Sequence, residues 1–153
     1  MKKSKRMQTV NSIAERDERE RADKFAKSQR HHETQKNKLA ELKQYYQEYA
    51  DAIRNPRDEF LDINRLQESR AFMAKLAAAI TQQREIMHNT ELAMNTDRKH
   101  WMDCRRRSMS MQKLTERYVH QELCEAEASE QRVADDLSSQ RFAWAMRQNK
   151  ALA

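Results

Sequence analysis

No glycine occurs anywhere in the 153 residues, and Pro56 is the only proline. A chain without glycine has no cheap residue for positive φ, so tight β-turns and strand hairpins are nearly excluded. With one proline there is one hard helix breaker. What remains is rich in Ala, Glu, Lys, Gln and Arg, with 35% of residues charged and 7% aromatic. That composition favours long helices, and coiled coils in particular. A mean hydropathy of −1.16 is too polar for a globular core of ordinary size, so an elongated, largely exposed molecule is expected. Intrinsic disorder is the rival at this polarity, and regular apolar spacing argues against it.

Pro56, with Asn55 before it and Asp58, Asp62 and Asn64 after it, marks 54–64 as the single turn, with Asp62 or Asn64 as cap of the helix that follows. Going back from the turn, an alternating three–four spacing picks out Ile53, Tyr49, Tyr46, Leu42, Leu39, Gln35, His32, Ser28 and Phe25. Going forward it picks out Leu66, Ser69, Met73, Leu76, Ile80, Gln83, Met87, Thr90, Met94, Asp97, Trp101 and Cys104. Sustained heptads of this kind predict a coiled coil. Folding back at the turn pairs positions whose numbers sum to about 118 or 119, so that Leu42 meets Leu76, Tyr46 meets Met73, Leu39 meets Ile80, His32 meets Met87 and Phe25 meets Met94. Polar positions then find each other: Gln35 with Gln83, Ser28 with Thr90, Arg21 with Asp97. Such polar layers fix register at a cost in stability. The expected fold is all-α, an antiparallel two-helix coiled-coil hairpin with an overhanging C-terminal helix. It forms a single unit over 1–153, with helix 1 at about 4–53, the turn at 54–64 and helix 2 at about 65–148. A monomer is expected for the free chain.

In this register helix 1 ends opposite about Leu114, while helix 2 continues with Tyr118, Val119, Leu123, Ala126, Val133, Leu137 and Trp144 in a slipped phase. An overhang of about thirty residues reaches about 45 Å at 1.5 Å per residue. An apolar stripe with no partner in its own chain calls for one elsewhere; the alternative is a frayed tail. Charge is uneven along the chain, whose formal net charge is +6. Residues 1–30 hold ten Lys or Arg against five Asp or Glu, and Arg98, Lys99, Arg105, Arg106 and Arg107 form a second basic cluster. Residues 120–136 are acidic.

Catalytic signatures are missing. A phosphate-binding loop needs glycines. The histidines His31, His32, His88, His100 and His120 never fall four apart, and Cys104 and Cys124 stand alone, so no zinc site, cofactor site or disulfide framework is expected. His32 on the seam reads as a packed histidine, and Met73, Met87, Met94 and Met111 as adaptable core fillers. A thin two-helix fold has no pocket to shift carboxylate pKa values. The chain is therefore expected to be no enzyme and to take no small-molecule substrate. The start, MKKSKRMQTV, has no apolar run behind its charges, and the longest apolar run, Leu76 to Ile80, is too short for a membrane span.

Three tyrosines fall within five positions, Tyr45, Tyr46 and Tyr49, and the seam uses only two of them. Lys38, Leu42, Tyr45 and Tyr49 form a second stripe on helix 1, and Phe72, Leu76, Ala79 and Gln83 another on helix 2. Aromatic surplus at one level of both helices has the composition of a binding hot spot. The alternative is that Tyr45 and Phe72 lean over the seam with only the hydroxyl wet.

The segments LKQYYQEYADAI, INRLQESRAFMAKLAAAITQQ, HW before a basic run, and LTERY, in that order over about residues 7–142, resemble the FliJ family of flagellar export proteins. The resemblance implies a soluble, non-enzymatic component of the flagellar type III export machinery, similar to the central stalk of rotary ATP synthases. It implies a cytoplasmic location, peripheral at the inner-membrane export apparatus. The partners it implies are a hexameric export ATPase, the cytoplasmic domain of the export gate and emptied export chaperones. The family's gate-binding surface, carried over, falls on Leu42, Tyr45, Tyr49, Phe72, Leu76, Ala79 and Gln83, with Lys38 at its edge. Gln83 stands where enteric relatives are expected to carry histidine, and Lys38 replaces a polar amide. For the ATPase ring, which such proteins enter by their terminal ends, the candidates are Lys2, Lys3, Lys5, Arg6, Arg105, Arg106, Arg107, Val119 and Leu123. A self-assembling filament or scaffold stays open at this point, since overhanging helices can pair between chains, as do two other readings. One is the related injectisome stalk protein. The other is a basic coiled coil on nucleic acid, disfavoured because no aromatic stacking platform lies beside the charges and an acidic segment lies close by.

Overall fold

The computed structural model describes residues 2–55 and 63–152. It contains two long helices packed against each other, α1 (Lys3–Arg54) and α2 (Ile63–Leu152). No strand occurs among the described residues, and none has a positive φ, in keeping with a chain that has no glycine to adopt it cheaply. The expected turn at Pro56 and the candidate cap Asp62 lie outside the described residues; Asn64 lies in the first turn of α2. Contacts divide the chain into two compact units, residues 17–105 and the paired segments 1–16 with 106–153.

In the unit of residues 17–105, Leu39, Leu76 and Ile80 are the buried apolar side chains, joined by buried Gln35 and Gln83. Around them the heptad positions are half-buried: Phe25, Ser28, His32, Leu42, Tyr46 and Ile53 on α1, and Leu66, Met73, Met87, Met94 and Trp101 on α2. Of the seam positions read from the sequence in this unit, Tyr49 alone is exposed. The core is thin, because each residue of a two-helix seam is covered from one side only: among the described residues no side chain is less than 2% exposed.

Polar layers tie the seam together. The Gln83 amide donates to the Gln35 carbonyl at 3.0 Å and to its side-chain oxygen at 2.7 Å. The other polar partners differ from those expected. Thr90 meets His32 Nδ1 at 3.1 Å, not Ser28. Ser28 instead donates to Asp97, whose second oxygen lies 3.8 Å from Lys24 Nζ. Phe25 stacks on Trp101 at 5.7 Å between ring centroids, two turns beyond the Met94 expected opposite it. The physical reason is that an antiparallel seam residue lies between two residues of the facing helix, so heptad matching fixes each partner only to within one or two turns. Trp101 is a hub: its Nε1 donates to Glu18 Oε1 at 3.0 Å, and the Arg105 guanidinium sits 5.5 Å from its ring centroid.

In the second unit, α1 contributes buried Ser4 and Ala14. Met111, Leu114, Thr115, Tyr118 and Glu122 of α2 are half-buried there. The first turn of α1 packs against Tyr118 and Glu122, one to two turns beyond the Leu114 expected. From Leu123 to Leu152 every residue is exposed, and this is the overhanging stretch of α2. Asn11 Oδ1 is buried without a hydrogen-bond partner among the described residues, a local weakness in this unit.

Leu39, only 5% exposed, sits at the centre of the thin seam. Leu39→Ala should cost about 2–3 kcal/mol, toward the low end for buried leucines because a thin core collapses readily onto the gap. Gln83→Ala should cost about 1–2 kcal/mol, since the buried Gln35 carbonyls then lose a donor. Chemical denaturation of the two variants beside the parent checks both the size and the order.

Candidate partner-binding surfaces

The first surface belongs to the unit of residues 17–105. Tyr45, Tyr49 and Phe72 are 53%, 41% and 43% exposed. Tyr49 and Phe72 face each other across the helices, with ring centroids 4.8 Å apart and planes tilted by 46°. Phe72 therefore takes Tyr49 as its ring partner. Covering one another leaves the outer faces of both rings in water, a state that costs free energy unless something else removes the exposure. A shallow groove runs beside them, lined by Tyr49 and Phe72 together with Arg65, Glu68 and Ser69.

The remaining gate candidates divide by helix face. Leu42 and Ala79 are half-buried, Lys38 is exposed, Leu76 is buried, and Gln83 is buried in its layer with Gln35. Leu76 and Gln83 thus serve the seam, while Tyr45, Tyr49 and Phe72 are the exposed aromatic part of this set. Sequence reasoning missed a second groove on the other flank, lined by Lys43, Tyr46, Gln47, Ile80, Thr81 and Arg84. Its only signal in the sequence was the spacing of Lys43 and Gln47 about Tyr46 on one helix and of Arg84 and Thr81 about Ile80 on the other.

The second surface lies in the unit of residues 1–16 with 106–153. Lys2, Lys3, Lys5 and Arg6 are exposed, as are Arg107, Val119 and Leu123. The Lys3 ammonium lies 5.9 Å from the Tyr118 ring centroid. Lys2 and Lys3 line a shallow hollow with Tyr118, Gln121, Glu125 and Ala126. Arg105 falls in the other unit, over Trp101, and Arg106 is also engaged. Successive helix positions point about 100° apart, so three consecutive arginines do not make a single-faced patch.

The first turn of α1 contains no acidic residue and is rich in lysine, the wrong charge for a helix N-terminus. Glu122 of α2 supplies what is missing. Its Oε1 accepts from the Ser4 amide at 3.0 Å and its Oε2 from the Ser4 hydroxyl at 2.5 Å. A carboxylate from the facing helix thus satisfies one of the orphan N–H groups of α1. The Ser4 hydroxyl and then the Ser4 amide, which both bond the ionised form, hold the Glu122 carboxyl below its ordinary value of 4.5.

A lowered folded-state value means that this tie contributes fully above the ordinary carboxylate value and is lost as pH falls through the lowered one. The Ser4 amide proton resonance should therefore hold constant from neutral pH down to about pH 4.5 and move upfield below it. In Glu122→Gln the upfield position should be present at neutral pH, with the acid transition gone. A two-dimensional NMR titration of both proteins checks this.

Among the described residues no helix is long and apolar enough to cross a membrane, and no group of three or more His, Cys, Asp or Glu side chains is placed to hold a metal ion. A family model described as "Flagellar FliJ protein" matches residues 2–147. Comparison with curated proteins and with solved structures found no match. The family match spans both units and nearly all of α1 and α2, and the helical hairpin agrees with it: the chain belongs to the FliJ family of flagellar export components.

Proposed function

We propose that this chain is a stalk-like organiser of flagellar export that contacts the export gate through Tyr45, Tyr49 and Phe72. The observation that carries the reading is the exposure of three large aromatics at one level of an otherwise charged helix pair. Aromatic anchors surrounded by polar residues dominate binding energy where a partner excludes water from them. The seam at that level is already closed by Leu42, Tyr46, Met73 and Leu76, so folding alone does not account for the rings. The ATPase ring is taken by the basic surface of Lys2, Lys3, Lys5, Arg6 and Arg107 with Val119 and Leu123, and positive charge there steers the chain toward an acidic or polar sleeve. Emptied export chaperones are the third partner, in line with what the family resemblance implies.

Tyr45→Ala with Phe72→Ala should weaken binding to the cytoplasmic domain of the gate by about 2–4 kcal/mol, while the melting temperature changes much less than in Leu39→Ala. Isothermal titration beside a thermal melt checks this. A variant that melts early yet binds normally in its folded fraction would place these rings in the core instead. Charge reversal of Lys2, Lys5, Arg6 and Arg107 to Glu should lower the on-rate for the ATPase and its stimulation by at least about tenfold at low salt, with the effect shrinking as salt is raised. Steady-state ATP hydrolysis across a salt series is the measurement.

A further inference from the structure

The exposed stretch of α2 from Leu123 to Leu152 is patterned in a way that identifies an occupant. At 100° per residue, Leu123, Ala126, Val133, Leu137 and Trp144 fall within about 80° of one another on one face. Each of the large ones is at least half exposed, Trp144 to 62%. Two charged residues interrupt the stripe on that same face, Glu130 and Arg141. They are opposite in sign and stand at nearly equal distances from the middle of the stripe, between Val133 and Leu137. Charge along the whole stretch is divided in the same way. Residues 122–136 carry Glu122, Glu125, Glu127, Glu130, Asp135 and Asp136 against Arg132, whereas 137–152 carry Arg141, Arg147 and Lys150 and no acidic residue.

We propose that the free chain self-associates by laying this stretch antiparallel on the same stretch of a second copy. In that arrangement Val133 meets Leu137 of the second copy and Ala126 meets Trp144, small against large, so that the layers interdigitate. Glu130 meets Arg141, closing each interruption of the stripe with a charge pair at the seam. Along the flank, Asp136 faces Arg132 and Glu125 faces Arg147, the arrangement by which charges beside a coiled-coil seam select orientation. A parallel pairing sets Glu130 against Glu130 and Trp144 against Trp144, and it fails on both charge and volume. Like charges directly opposed are destabilising, which makes the antiparallel choice specific. The pairing covers about 26 residues, or nearly four heptads, the length at which a/d patterns sustain a coiled coil. It replaces the monomer expected from composition, and it is independent of the ATPase reading, because it concerns the purified chain alone. Leu123 is common to both surfaces, so entry into a ring has to displace the second copy.

Sedimentation equilibrium of the full chain, over a concentration series at low salt, tests the proposal. The parent should show a monomer–dimer equilibrium. Glu130→Arg and Arg141→Glu should each raise the dimer dissociation constant at least about tenfold by opposing like charges at the seam. The double variant Glu130→Arg with Arg141→Glu should restore the dimer, because the pair is then exchanged rather than broken; that recovery also excludes misfolding as the cause of the single-variant loss. A chain that stays monomeric throughout, or a dimer indifferent to both single reversals, overturns the proposal. So does a monomer whose Trp144 becomes protected from a fluorescence quencher only on addition of the ATPase, since the stripe then belongs to the ring.

Discussion

A seam between two helices removes water from each side chain on one side only, and the rest of this structure follows from that. Leu39, Leu76 and Ile80 are buried, yet no described side chain is wholly enclosed. With little apolar area available per residue, stability depends on length and on repetition of modest layers. It also leaves polar groups at the seam close enough to water that burying them is affordable only in mutually bonded pairs. Gln35 with Gln83, His32 with Thr90, and Ser28 with Asp97 are such pairs. Each forms at one alignment of the helices and is broken by a slip, whereas methionine and leucine tolerate several alignments. The apolar layers hold the helices together, and the polar layers state where.

How legible this was in the sequence can be judged residue by residue. Absence of glycine and the three–four spacing were enough for two long helices and for the seam face, because both follow from local geometry of a single helix. Gln35 opposite Gln83 was legible as well. Phe25 with Trp101 and Ser28 with Asp97 were not, because each seam residue lies between residues of the facing helix and spacing does not say which of them it takes. A one-turn error leaves every apolar position still facing an apolar neighbour, so heptad text alone does not penalise it. The tie between Ser4 and Glu122 spans 118 positions and had no local signal, since neither a serine near a helix start nor a glutamate in an acidic run stands out.

The aromatic surface shows a further limit of the same kind. Tyr45, Tyr46 and Tyr49 are chemically alike and lie within five positions, yet Tyr46 is half-buried while the other two are exposed. Spacing assigned both Tyr46 and Tyr49 to the seam, and only the first is there. Tyr49 turns instead toward Phe72, an arrangement that gains ring–ring contact while leaving the outer faces wet. Leu76 and Gln83, which the family resemblance placed on the same surface, are drawn inward by Leu39, Ile80 and Gln35. The seam therefore takes from this region what it can cover, and what is left over is aromatic.

At the other unit the division runs between charge and order. Lysines crowd the first turn of α1, where the helix dipole already disfavours positive charge. A basic arm of that kind would fray in isolation, because its N–H groups have no acidic residue of their own turn to bond. Glu122 removes the conflict from across the seam by bonding both the amide and the hydroxyl of Ser4. The lysines remain exposed at the surface, while the backbone beneath them is anchored. Tyr118 adds a ring under Lys3 that attracts its ammonium without neutralising it. The chain thus keeps a concentrated positive charge on an ordered helix end, and it does so by drawing a compensating carboxylate, Glu122, from the acidic segment of the facing helix.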